Sequence, residues 1–280
     1  MSYTPFLLQH LKLFPAVLLL LLGLPRASAA QLLASASDVA AGRTSGQTVL
    51  GDVRPFGDGT ARTWVQLDGD GNPVSLGITL TEDALNGLPN DVTPGLIWMV
   101  EYVLALPSGI PDMPFDHVGV NWNPRGHVPD GIYNVPHFDF HFYTISPEAR
   151  SRITARGADL EMCRKPPSAG HLPEGYMFAP ESEEPGMGGH WVDPLSHEFH
   201  GGGFTQSFIY GTHDGAVIFY EPMITKALLE TRPDVSHPLK IAGAFAHRGY
   251  YPTSYGIRFD PEREEYSVTL EGLTLREAAN

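Results

Sequence analysis

The stretch HFDFHFY, residues 137–143, alternates strictly between apolar and polar side chains, and that period limits what the chain can fold into. Phe138, Phe140 and Phe142 occupy every second position, with His137, Asp139, His141 and Tyr143 between them. A period of two belongs to a β-strand, whose successive side chains point to opposite faces. A helix would instead stack His137 and His141 at i and i+4, where both can reach one metal ion. Against the helix, aromatic and polar residues of this kind propagate helix weakly, and Pro136 biases Val135 toward extended backbone. A helix start also lies just beyond, at Ser146-Pro147. The strand reading puts the phenylalanines on one face and His137, Asp139, His141 and Tyr143 on the other.

Strand geometry then restricts the chemistry. Same-face neighbours two residues apart are separated by about 6.7 Å, and residues four apart by about 13 Å. A straight strand does not let His137 and His141 hold one ion together. The chelating pair is either His137 with Asp139 or Asp139 with His141, and the spacing leaves both open. Further ligands are at hand in His190 (GMGGHWVDP), in His197, Glu198 and His200 (SHEFHGGGF), in His127 of the preceding loop, and in Glu221. Two or three histidines with a carboxylate suit zinc, iron, manganese or copper. The candidate set is His137, Asp139, His141, His190 and Glu221. The plain alternative is that these are solvated or mutually hydrogen-bonded groups, with Glu221 serving only to open a helix at Pro222.

The rest of the chain reads as short strands joined by turns, in keeping with 30 glycines and 25 prolines among 280 residues. ARTWVQLDGDGNPVSLGITLT is a hairpin around Asp68-Gly-Asp-Gly-Asn-Pro; the turn lacks the length and terminal glutamate of a calcium loop. FTQSFIYGTHDGAVIFYEP is a second hairpin on Asp214-Gly215. A two-residue turn there sets Glu221 opposite Phe208, on a face with Phe219 and Tyr210. IWMVEYVLALP is a buried strand, HVGVNWNPRGHVPDGIY is loop-rich, and residues 165–189 make a long surface excursion. SYGIRFDPEREEYSVTLEGLTLR supplies a final strand pair. Helices are expected at TEDALNGLP, with Thr81 as N-cap, at SPEARSRITAR from Ser146, and at PMITKALLETRP, opened by Pro222. The predicted fold is mainly β, antiparallel sheets as a sandwich or barrel with two to four short helices, an α+β arrangement being the alternative.

The N-terminus has the pattern of a secretory signal peptide: Lys12, an apolar run Leu13–Leu24, then Ala27-Ser28-Ala29. The run is short for a membrane span. The expected organisation is a signal peptide at 1–29, a flexible lead-in at 30–59 and one β-rich domain at 60–280, in a secreted or periplasmic protein. The formal charge is −14, and the signal region carries Lys12 and Arg26 but no acid, so the mature chain is more acidic still. Such a surface repels phosphate backbones and argues against nucleic acid as a partner. No later segment reads as a membrane span, and assembly into a homo-oligomer is compatible with the composition. The single cysteine, Cys163, excludes an internal disulfide and argues against thiolate zinc or iron–sulfur sites. There is no G-x-S-x-G elbow, H-E-x-x-H, P-loop or dinucleotide fingerprint.

Four stretches together, ARTWVQLDGDGNPVSLGITLT, VPHFDFHFYTISPEARSRI, GGHWVDP and FTQSFIYGTHDGAVIFYEPMIT, resemble an exported bacterial family of unknown function. That family includes a Thermus protein controlled by an extracytoplasmic sigma and anti-sigma factor pair. The resemblance runs from about residue 60 to 275, and HFDFHFY and YEPMIT are its most specific blocks. It implies export and an envelope-stress setting; no enzyme activity is established for the family, so the resemblance adds no mechanism. Three functions stay open: an exported binder of a transition metal, an envelope or stress-related interaction protein without metal, and a metal-dependent hydrolase or lyase.

Overall fold

The computed structural model describes residues 46–90 and 99–279. The signal-peptide reading of 1–29 lies outside the described residues. Strands form earlier than residue 60: β1 (Gln47–Leu50) and β2 (Arg54–Phe56) fall inside the stretch read as a lead-in, and both pair with β3 (Gly59–Leu67). β4 (Pro73–Thr81) completes the first hairpin. Asp68 organises its turn, accepting from the backbone N–H of Asp70 (2.9 Å) and Asn72 (2.8 Å).

The chain next builds a second sheet from β5 (Val100–Ala105), β6 (His117–Asn123), β7 (His137–Tyr143), β8 (Met177–Phe178), β9 (Gly189–Val192), β10 (Gln206–His213) and β11 (Ala216–Thr225). It then returns to the first sheet through β12 (Asp234–Pro238), β14 (Ser254–Asp260) and β15 (Glu265–Glu271). A small third sheet pairs β13 (Gly249–Tyr251) with β16 (Thr274–Arg276). The first sheet runs β1-β3-β4-β15-β14-β12, with β2 on β3, and the second runs β5-β6-β7-β11-β10-β9-β8. All pairings are antiparallel, neither sheet closes into a barrel, and the two large sheets share a core as in a sandwich. Among the described residues the α-helices are α1 (Pro147–Arg150), α2 (Ala158–Arg164) and α3 (Lys226–Glu230). Among the described residues no helix is long and apolar enough to cross a membrane.

The alternation that opened the sequence sets this packing. Phe138, Phe140 and Phe142 enter the inter-sheet core with Val118, Val120 and Trp122 of β6, Phe208 of β10 and Tyr220 of β11. From the other sheet come Val65, Leu76, Ile78, Ile257 and Val268. The opposite face of the second sheet is also covered. Tyr143 packs with Ile153, Cys163, Met187 and Phe219, while Ile209 and Met223 pack with Tyr133 and Phe204. Every residue of β7 is therefore buried.

Five local expectations are revised. HVGVNWNPRGHVPDGIY begins with a central strand, β6, because Val118, Val120 and Trp122 keep a period of two through the intervening Gly119 and Asn121. Pro222 does not open a helix. It lies within β11, and Thr225 caps α3 instead, its side chain accepting from Leu228 N. Glu221 lies opposite Ile209, not Phe208, and Tyr210 turns to the inter-sheet core. The register pairs Gly211 with Phe219 but Thr212 with Val217, so Ile218 is an extra residue, a β-bulge that shifts the strand by one. SPEARSRITAR folds as a single turn of helix capped by Ser146, and TEDALNGLP as a 3-10 turn over Glu82–Leu85. Thr81 makes no side-chain cap there, because its Oγ1 accepts from Thr60 N (2.9 Å) across the sheet.

Candidate metal centre

The polar face of β7 lies beneath two covering segments, the loop after β6 and the chain between α2 and β10. His127 comes from the first and His190, on β9, from the second, while Glu221 arrives on the neighbouring strand β11. His137, Asp139, His141 and Glu221 are 0%, 4%, 1% and 2% exposed. These residues fall into two groups. His127, His137 and Asp139 form the first, and His141, His190 and Glu221 the second; within each, one ligand atom per residue lies within 4.8 Å of the others.

In the first group, His137 Nε2 lies 3.1 Å and His127 Nε2 3.6 Å from the Asp139 carboxylate. Asn123, on β6 opposite His137, reaches diagonally and donates through Nδ2 to Asp139 Oδ2 at 2.6 Å. His137 Nδ1 lies 2.7 Å from Val135 O, and His127 Nδ1 2.6 Å from Val128 O. A carbonyl only accepts, so each Nδ1 carries a proton, and each Nε2 is the ring atom turned toward the carboxylate. That is how ligating histidines are held: a backbone acceptor fixes the tautomer and the ring orientation.

The second group repeats the device once. His190 Nδ1 donates to Ser182 O (2.6 Å), and the His190 N–H donates to Ser182 Oγ (3.0 Å). His141 Nε2 lies 3.4 Å from Glu221 Oε2. The Phe219 ring packs against both imidazoles, with centroids 4.7 Å from His141 and 5.4 Å from His190. Pro222 opens this position. The ladder between β7 and β11 pairs Tyr220 with Phe142 and Met223 with Asp139 and skips Glu221 and Pro222 between them. Proline has no N–H to donate, and a central strand carries one only where pairing is interrupted.

Burial sets the protonation states. It pushes His141 down to about 3 and His190 down to about 4, so both imidazoles are neutral in neutral solution. Burial, reinforced by the Asp139 charge, pushes Glu221 well above the usual carboxylate range. Burial also opposes ionisation of Asp139, but His137 and His127 beside it hold its carboxyl well below that range. Ionisation is thus favoured at Asp139 and opposed at Glu221, with neutral imidazoles at His141 and His190.

Five polar atoms of this cluster are buried without a hydrogen-bond partner in the protein: His137 Nε2, Asp139 Oδ1, His141 Nδ1 and Nε2, and Glu221 Oε2. Several face each other at 3.1–3.4 Å without hydrogen-bond alignment. Buried polar atoms are normally paired, and leaving one unpaired costs about 1–3 kcal/mol. Lone pairs converging on a common point are the signature of a ligand set.

The structure thus brings all five sequence-derived residues to one face but divides them. His137 pairs with Asp139, and His141 pairs with Glu221 rather than with Asp139. His127 joins the first group, its approach set by a loop that sequence pattern does not position. His197 and His200 stand apart, His200 against Pro194 O (3.0 Å). Glu198 is buried beside Ser207, whose hydroxyl donates to it at 2.7 Å. A third set, Asp159, Cys163 and His213, is accounted for without an ion. His213 Nε2 lies 2.7 Å from Asp159 Oδ1, Asp159 Oδ2 accepts from Thr154 N (2.6 Å) and Ala155 N (2.8 Å), and burial pushes the Cys163 thiol up to about 11.

Fold and cluster together define an antiparallel β-sandwich with a buried histidine–carboxylate site. A family model described as TTHB210-like, hypothetical protein TTHB210, matches residues 68–122, from the β3–β4 turn to β6. The similarity is to an uncharacterised family, and the matched segment ends before the first residue of either ligand group. No curated protein and no solved structure matches the chain.

Proposed function

We propose that this is an exported protein that binds a first-row transition metal on the covered face of β7. The observation that carries the reading is the set of unpartnered buried atoms on His137, Asp139, His141 and Glu221. Each group offers two imidazoles and one carboxylate, a donor set for zinc, iron, manganese or copper; calcium and magnesium prefer all-oxygen sites. The apolar run Leu13–Leu24 with its small-residue site supports export, and the resemblance of the HFDFHFY and YEPMIT blocks supports an envelope setting under sigma and anti-sigma control.

Catalysis is a second reading, favoured by one feature. Three protein ligands leave coordination positions open, as catalytic sites do, whereas structural zinc sites are closed by four. A hydrolase or lyase would use such a position to polarise a substrate oxygen or activate water.

The test is metal analysis of the purified protein, wild type beside His141→Ala, as isolated and after loading. The wild type retains metal through desalting and the variant retains less. No bound transition metal in either protein after loading would leave a buried polar cluster without an ion, and the interaction-protein reading in its place.

A further inference from the structure

We propose that the face of β7 holds two metal ions rather than one, and that the pair takes an oxyanion as its ligand. The inference rests on the metal-binding reading above and adds a stoichiometry and a ligand class.

The geometry points to two ions. Bonds to nitrogen and oxygen of about 2.0–2.2 Å leave no two ligands of a single zinc more than about 4.4 Å apart. Within each group the ligand atoms lie within 4.8 Å of one another, close to that limit and reached by small side-chain shifts, while the six residues do not combine into one group. The reason lies in the strand. His137, Asp139 and His141 occupy three successive same-face positions, so His141 is about 13 Å along β7 from His137. His141 therefore finds its partners elsewhere, in Glu221 on β11 and His190 on β9, while His137 and Asp139 are completed by His127. Both groups contain unpartnered buried atoms, so an ion at either one leaves the other unsatisfied.

The groups are also neighbours. Asp139 and His141 are adjacent on the same face, about 6.7 Å apart along the strand. The Asp139 charge acts on His141, His190 and Glu221 across the boundary between the groups. Two divalent cations bring four positive charges against the two carboxylates of Asp139 and Glu221. Most of the cluster is buried, where excess charge is expensive, so an anionic ligand with oxygen donors fits the remaining positions.

The test uses the full chain stripped with a chelator and titrated with Zn²⁺, bound metal being counted after desalting. Wild type is expected to hold two equivalents, and His137→Ala and Glu221→Gln one each. Circular dichroism confirms that the variants are folded, and His190→Ala serves if Glu221→Gln is not. Loading with Cu²⁺ gives a spectroscopic readout: spin–spin broadening in the wild type, lost in each one-ion variant. Inorganic phosphate is expected to bind the two-ion protein at least tenfold more tightly than either variant. One equivalent in the wild type, removed by both variants, overturns the pair and leaves the metal-binding reading intact. No equivalents overturn both. Two equivalents without spin–spin broadening overturn the pairing, and equal phosphate binding by all three proteins overturns the oxyanion.

Discussion

Asp139 Oδ1 lies 3.1 Å from Nε2 of His137, and neither atom has a hydrogen-bond partner in the protein. Two polar atoms at that distance, both shut off from water, are held there by their surroundings. The His137 Nδ1 proton is committed to Val135 O, and Asp139 Oδ2 is committed to Asn123. What remains on each side is one atom with no hydrogen-bond partner, free to turn to an ion.

Metal should therefore stabilise the fold. An ion that binds only the native state adds about 2.7 kcal/mol at a hundred times its dissociation constant. For a domain of this size that is a rise of roughly 5–10 °C in Tm. Thermal melts of chelated protein with and without Zn²⁺ should show the rise, and the shift should shrink in Asp139→Asn. A Tm indifferent to zinc, copper and manganese alike would contradict ligation.

The two faces of β7 should respond differently to substitution. Phe140 is fully buried in the inter-sheet core, and truncation of such a ring costs about 3–5 kcal/mol. Phe140→Asp adds an unpaired charge and is expected to abolish cooperative folding. Asp139→Ala removes a charge whose burial cost is offset by His137 and His127, and leaves the apolar core untouched, so it should keep the fold and lose metal. Urea melts with metal counting separate the two; a more damaging Asp139→Ala would show that the polar face carries the stability.

Much of this face was legible from local pattern. The alternation of HFDFHFY predicts both faces of β7, Asp214-Gly215 the hairpin turn, and Ser146 its cap, because each is set within a few residues. The failures are long-range or depend on weak strand formers. β6 is masked by Gly119, Asn121 and Asn123, whose propensities argue for loop, although Asn123 is there to hold Asp139. The division of ligands follows from strand order: β11 lies beside β7 and brings Glu221 to His141, and no spacing along the chain contains that neighbour. The bulge at Ile218 and the proline inside β11 are likewise invisible in a period of two.

Gly211 should be intolerant of a side chain, and the damage should reach the second group. It pairs with His190 on β9 and with Phe219 on β11, and a Cβ on it would lie 2.0 Å from the Phe219 ring. Phe219 is wedged against both His141 and His190, so displacing it moves the imidazoles. Gly211→Ala should lower Tm and weaken metal binding at the second group. Gly243→Ala, whose Cβ would approach no atom closer than 3.9 Å, is the control and should change neither. Equal metal content in Gly211→Ala and wild type would disconnect Phe219 from the site.

Finally, the contribution of His141 and His190 to the stability of the metal-free protein should be lost in acid. His141 and His190 have folded-state values of about 3 and about 4, below the ordinary histidine value near 6.5. A depressed folded value means that the unfolded chain binds more protons in between. The stabilisation is thus complete above about pH 6.5 and is lost as pH falls toward 4 and then 3. Glu221 works in the opposite sense. Its raised value makes its stabilisation complete below about 4.5 and lost as pH rises through its folded value. Glu221→Gln should therefore stabilise the metal-free protein above neutrality while weakening metal binding. Guanidinium melts of chelated wild type, His141→Gln and Glu221→Gln from pH 4 to 8 read both effects. The slope below 6.5 should flatten in His141→Gln, and an unchanged slope would mean that His141 is not the buried neutral imidazole its surroundings make it.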